Sequence, residues 1–155
     1  MPMNRLKHCL DDNRIKYVTI KHSLAYTAQE IAESAHIQGQ ELAKTVMVVI
    51  DEKMAMAILP ASEKVDLSLL KKAAGASKVR LAREDEFRDK FPECELGAMP
   101  PFGNLFGMEV FAAETLAADE EIAFNGGSHT ELVKMAYKDF ERLVQPKVAR
   151  LTPAH

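Results

Sequence analysis

The chain has 155 residues, a net charge of −3, and a composition that is 47% hydrophobic and 28% charged. That length suits a single domain around one core, and the slight acidity argues against a general polyanion binder while leaving room for a local basic patch. No run approaches the ~18 apolar residues of a membrane-spanning helix, and residues 1–12, broken by Asn4, Arg5, Lys7 and His8, contain no apolar signal-peptide core. Cys9 and Cys94 form no CxxC pair, so a reduced, cytoplasmic setting fits better than a disulfide framework.

Leu6, Cys9 and Leu10 recur at helical spacing and predict a short helix over 3–12. Tyr17-Val-Thr-Ile20 is β-branched and aromatic and reads as a strand. Thr27 with Glu30 three residues later makes a capping box for a helix carrying Ile31, Ala32 and Ala35. Two apolar runs, Thr45 to Ile50 and Met54 to Leu59, flank the charged turn 51–53 and predict a buried hairpin. Asp66 caps a helix with Leu67, Leu69 and Leu70 that Gly75 ends. Residues 78–81 form a short strand, and 84–91 a charged helix with Phe87 and Phe91 on its apolar side. Strands follow at 109–113, 121–124 and 130–135, the last two separated by Gly126-Gly127, and a helix over 138–144 closes the pattern. The expected fold is α+β: a mixed, largely antiparallel sheet with short helices packed around it, in one domain spanning 1–155.

Between these elements lies Gly97-Ala-Met-Pro-Pro-Phe-Gly103. Two prolines and two glycines in seven residues rule out helix or central strand and leave a rigid loop. Such a loop either turns the chain or offers backbone N–H and C=O groups to a small ligand. Lys44, where a helical segment meets a buried strand, either snorkels or holds a phosphate as a compact charge. His129, after Asn125-Gly-Gly-Ser128, is either satisfied locally or meets a ligand hydroxyl.

Residues 27–44 also have the outline of a helix-turn-helix around Gly39. The second segment runs into a strand-like stretch, its exposed positions offer Gln38, Gln40 and Glu41 with Lys44 the only cation, and the chain is acidic, so no DNA partner is expected. The remaining histidines lack metal-ligand spacing, no serine sits in G-x-S-x-G, and no Walker or G-x-G-x-x-G loop is present. Metal, cofactor and catalytic triad are therefore not expected, and any hydrolysis would rest on positioning, electrostatics and the substrate itself. Lys64, Lys71, Lys72, Lys78, Arg80, Arg83, Arg88 and Lys90 crowd one third of the chain among acidic residues, either as a solvated surface or as a patch for an RNA backbone.

In order and spacing, several segments resemble the YbaK/prolyl-tRNA-synthetase-associated editing domain family over roughly residues 15–145. They are T-A-Q-E-I-A, A-K-T-V at 43–46, the apolar hairpin, V-D-L-S-L-L-K-K-A-A-G at 65–75, K-V-R-L-A at 78–82, G-A-M-P-P-F-G and N-G-G-S-H at 125–129. The resemblance implies a trans-acting deacylase that hydrolyses the ester of a mischarged tRNA, of tRNA-Pro or a related tRNA. Its site would use Lys44 on the terminal-adenosine phosphate, the backbone of Gly97 (first residue of the G-x-x-x-P element ending at Pro101) on the amino group and carbonyl, and His129 on a ribose hydroxyl or the aminoacyl end. Met99, Pro101, Phe102, Gly127 and Ser128 would line the substrate. Water would attack with help from the free ribose hydroxyl, and the side-chain pocket would act as a sieve. Met99 and the extra Pro100 leave alanine, cysteine, serine, threonine and non-protein analogues all open. The implied partners are the acceptor end of mischarged tRNA and a tRNA synthetase, with the protein itself a monomer. A rival function on the same fold is a non-catalytic module that binds tRNA ends, a nucleotide or a protein.

Overall fold

The structure is a computed structural model that describes residues 4–21, 42–61, 63–90, 99–118, 120–127 and 130–153. Helix α1 (Asn4–Asp12) buries Leu6 and Leu10, one turn apart. Strand β1 (Tyr17–Lys21) follows. Strands β2 (Ala43–Ile50) and β3 (Lys53–Pro60) pair antiparallel from Ala43 opposite Pro60 to Ile50 opposite Lys53. The hairpin turns through Asp51 and Glu52, at φ 47 and 71°. This double left-handed geometry follows the twist of the strands. It is strained for side chains other than glycine, but the Asp51 carboxylate braces it by accepting the Ser77 and Lys78 amides at 2.9 Å.

Helix α2 (Leu67–Ala74) starts where Asp66 Oδ1 accepts the Ser68 and Leu69 amides at 2.9 and 3.1 Å. It stops at Gly75, whose φ of 62° suits glycine. Next come β4 (Val79–Leu81), α3 (Glu84–Phe87) and a 3₁₀ turn over Arg88–Lys90. The expected charged helix over 84–91 is thus a single α turn passing into 3₁₀, with Phe87 buried; Phe91 lies outside the described residues. A second 3₁₀ turn, Gly103–Leu105, precedes β5 (Glu109–Ala113) and the single-turn α4 (Glu114–Ala117). The remaining elements are β6 (Glu121–Asn125), β7 (Glu131–Ala136), α5 (Tyr137–Val144) and β8 (Lys147–Ala149). The helix expected from Thr27 falls outside the described residues.

The strands divide into two sheets rather than one. The larger runs β4-β2-β3-β5-β8 and the smaller β1-β7-β6. Pairing is antiparallel except for β3–β5 and β5–β8, the parallel steps that long crossovers permit. A single parallel bridge, Leu42 to Ala123, ties the start of β2 to β6.

Alternation along the strands sorts the core into two layers. Met47, Met56, Ile58, Val110, Phe124, Val133 and Met135 meet Phe102 and Phe140 in a layer drawn from both sheets. On the other face of the larger sheet, Val48, Ala57, Leu59 and Phe111 pack with Leu70 of α2 and with Leu151. Among the described residues no helix is long and apolar enough to cross a membrane.

Two substitutions test this framework. Asp66→Ala removes both amide acceptors at the start of α2 and should cost about 1 kcal/mol in chemical denaturation. Glu86 accepts both Arg80 terminal nitrogens at 2.7 Å and the Arg83 amide at 2.8 Å. The Arg80 hydrogen bond, and next the Arg83 amide, bring its pKa from 4.5 down to about 2. Its contribution is therefore complete above pH 4.5 and lost as the pH falls toward 2. The stability gap between the protein and Glu86→Gln should be full at pH 7 and close across that acid window, read by thermal melts at a series of pH values.

Candidate active site

Lys44 is the second residue of β2, beside the point where β2 meets β6. Its backbone partner is Leu59, so by strand alternation it belongs to the α2 face of the larger sheet. It is half-buried and has no ion-pair partner among the described residues. Burial first, and the charge of Lys64 second, lower its pKa from the ordinary 10.5, while Glu63 acts the other way. Such a lysine gains most from a bound anion, which favours the charged form that burial penalises.

Met99, Pro101 and Phe102 are all buried. Phe102 has no exposed surface. Its ring lies 5.7 Å from Phe124 and, edge-on, 5.5 Å from Phe140. The structure places Phe102 in the core, where it anchors the loop. Next to it Gly103 is crowded: a Cβ there would lie 2.6 Å from Val110 Cγ2 and 2.7 Å from the Met108 carbonyl oxygen. The Pro/Gly loop is therefore fastened at its end to β5, β6 and α5, and its shape follows from that anchorage.

Beyond Phe124, β6 ends at Asn125 and the chain turns through Gly126 and Gly127. The Gly126 amide donates to the Glu131 carbonyl at 3.1 Å, and Gly127 has φ 101°, a conformation that favours glycine. Gly127 is buried, and Gly97, Ser128 and His129 lie outside the described residues. The structure thus gathers three distant segments at one end of β6. Ala123 holds the strand leading to Lys44, Phe124 holds the Pro/Gly loop, and Asn125 opens the glycine turn. Lys44 and the Met99–Phe102 anchor belong to opposite faces of the larger sheet and share only its end. Sequence reasoning missed the surroundings of Lys44: Glu63 accepts hydroxyl hydrogen bonds from Thr115 at 3.2 Å and Thr152 at 3.3 Å. Those partners are 52 and 89 residues away, and no local pattern announces them.

The crowded basic residues separate. Lys71, Lys78, Arg80 and Lys90 line an open cleft of about 910 Å³ with Glu52 and Glu86, and Arg80 is held by Glu86. The cleft reaches β2 at Val49, so it lies about 16 Å along the strand from Lys44, at ~3.3 Å per residue. A second cleft, of about 620 Å³, shares Lys90 and Met54 with it and reaches Phe106 and Gly107. Lys44 lines neither. Strand β2 begins at Ala43, which removes the end of the recognition helix on which a DNA-binding reading depended.

Comparison with known proteins points the same way. The aminoacyl-tRNA editing domain family matches residues 22–143. The chain belongs to that family. The prolyl-tRNA editing protein ProX of Acetoanaerobium sticklandii is 27% identical to this editing-domain chain over 143 residues, covering 88% of the chain and 86% of that protein. A proline–tRNA ligase of Bacillus cytotoxicus is 30% identical over 90 residues, which is 58% of this chain and only 16% of the ligase. The fold matches a solved structure of a proposed trans-editing enzyme for prolyl tRNA synthetase with a TM-score of 0.84 at 20% identity, covering 99% of this chain and 98% of the other.

Phe102→Ala should cost about 3–5 kcal/mol by leaving a cavity between Phe124 and Phe140. Gly103→Ala should destabilise as well, since its neighbours are a backbone carbonyl and a β-branched side chain. Urea denaturation measures both.

Proposed function

We propose that residues 1–155 work as one editing domain, a trans-acting deacylase that hydrolyses the ester of mischarged tRNA, with tRNA-Pro as the leading substrate. Family membership supports the reaction, and the match over most of a prolyl-tRNA editing protein supports action outside a synthetase. The observation that carries the site assignment is Lys44: a half-buried ammonium without an ion-pair partner among the described residues, at the point where β2 meets β6.

Lys44 binds the phosphate of the terminal adenosine. The backbone of the 97–101 loop orients the amino group and the carbonyl, and His129 meets a ribose hydroxyl. Water, directed by the free vicinal hydroxyl of the substrate ribose, adds to the carbonyl carbon. The carbon–oxygen ester bond then breaks, releasing the amino acid and an uncharged tRNA end. No protein nucleophile is required, because the ester is already activated and positioning supplies the remainder. Met99, Pro101, Gly127 and Ser128 line the aminoacyl end of the substrate. The protein works as a monomer in the cytoplasm and meets a synthetase only as an additional partner. The lysines of the basic cleft, without an ion-pair partner among the described residues, suit the RNA backbone farther along the acceptor arm, with charge as the attraction.

Release of alanine, cysteine, serine and threonine from mischarged tRNA-Pro tests this reading. Lys44→Ala should lower release by about 10²-fold or more with an unchanged melting temperature; full activity in that variant removes the phosphate anchor. Gly97→Val should fail by blocking close approach to the backbone. Replacing Lys78 or Lys90 by alanine should weaken tRNA binding and reduce the slope of log K against log salt by about one per lysine. An unchanged slope would remove the cleft from the RNA interface.

A further inference from the structure

Chain geometry sets Glu63 beside the start of β2. The Ala61 amide donates to the Leu42 carbonyl at 2.7 Å, and the Glu63 amide donates to the Pro60 carbonyl at 3.0 Å. The turn after β3 is thus folded against the residues that lead into Lys44. The Glu63 carboxylate is fixed from two further directions. Thr115 of α4 donates to Oε2 and Thr152, beyond β8, donates to Oε1. Thr152 is only 5% exposed. Its neighbour Leu151 belongs to the core layer on the α2 face, the face to which Lys44 and Leu59 also belong. Two hydroxyls holding the two oxygens of one carboxylate remove its rotational freedom, so its charge stays at a set place.

We propose that Glu63, clasped by Thr115 and Thr152, is a positioning residue for Lys44: a fixed counter-charge that keeps the ammonium protonated and oriented while the site is empty. The proposal rests on Lys44 being the phosphate anchor, and it assigns part of the site to a C-terminal segment outside the family match at 22–143. Burial and Lys64 both act to lower the Lys44 pKa, and the Glu63 charge acts against them. Glu63 makes no ion pair with Lys44 within 4.0 Å. It therefore supports the charge without occupying the face that the substrate phosphate needs. Lys64 and Glu63 are the charges that move Lys44.

The test follows the Lys44 side chain directly, by the pH dependence of its 13Cε chemical shift in lysine-labelled full-length protein, with the signal assigned by its loss in Lys44→Arg. In Glu63→Gln the midpoint should fall by about half a unit to one unit. Thr152→Val should lower it by less, and Thr152→Ser, which keeps the hydroxyl, should leave it at the original value. The alkaline loss of deacylation in Glu63→Gln should move down by the same interval. An unchanged midpoint in Glu63→Gln with an unchanged melting temperature overturns the proposal. If Glu63→Gln does not fold, the Thr152 pair decides: equal midpoints in Thr152→Val and Thr152→Ser overturn it. Because the shift reports on Lys44 without substrate, a Lys44→Ala protein that still deacylates would refute the anchor reading and leave the Glu63 result standing.

Discussion

Ala123 and Phe124 are adjacent on β6, and the pleat of the strand turns them to opposite sides. Ala123 makes the bridge to Leu42 and packs with Leu42 and Leu132. Phe124 packs against Phe102 in the layer between the sheets. One dipeptide therefore fixes two segments separated by about sixty residues, and the following residue opens the glycine turn. The small sheet exists, in effect, to hold that dipeptide: β7 pairs with β6 on one side and β1 on the other, with no other strand in the group among the described residues. Both segments are placed by backbone pairing and aromatic packing, which are stiff.

The division between the two faces of the larger sheet gives the site a particular character. Lys44 stands on the side of α2 and the C-terminal segment, opposite Leu59 and under the charges of Glu63 and Lys64. The Pro/Gly loop is anchored in the dry layer, among phenylalanines. An aminoacyl ester has the same two-sided chemistry, an anionic ribose-phosphate end and a small, less polar amino-acid end. In the proposed site each end would meet a different environment, because the sheet edge separates them.

Much of this was legible from local sequence. The apolar runs on either side of Asp51-Glu52 could only be a buried hairpin, Asp66 and Gly75 bracketed a helix chemically, and Gly126-Gly127 marked the turn between β6 and β7. What local sequence could not carry was pairing at a distance. Lys147–Ala149 reads as a charged tail until β5 is present to pair with it. Glu114–Ala117 is one turn long, below the length at which periodicity means anything. Phe102 stands among prolines and glycines, and no local pattern shows that this aromatic pins the loop to the core, as its burial does. The threonines that hold Glu63 follow no motif at all.

The segment after α5 sets a difference between two boundaries. The family match ends at residue 143. Val144 is buried in the core, β8 covers the edge of β5, the Leu151 carbonyl accepts the Asp66 amide at 2.7 Å, and Thr152 reaches Glu63. The stretch that the family model matches is thus shorter than the stretch that folds. A domain trimmed to that boundary would expose an unpaired strand edge and loosen the start of α2, the defects that favour strand-mediated aggregation.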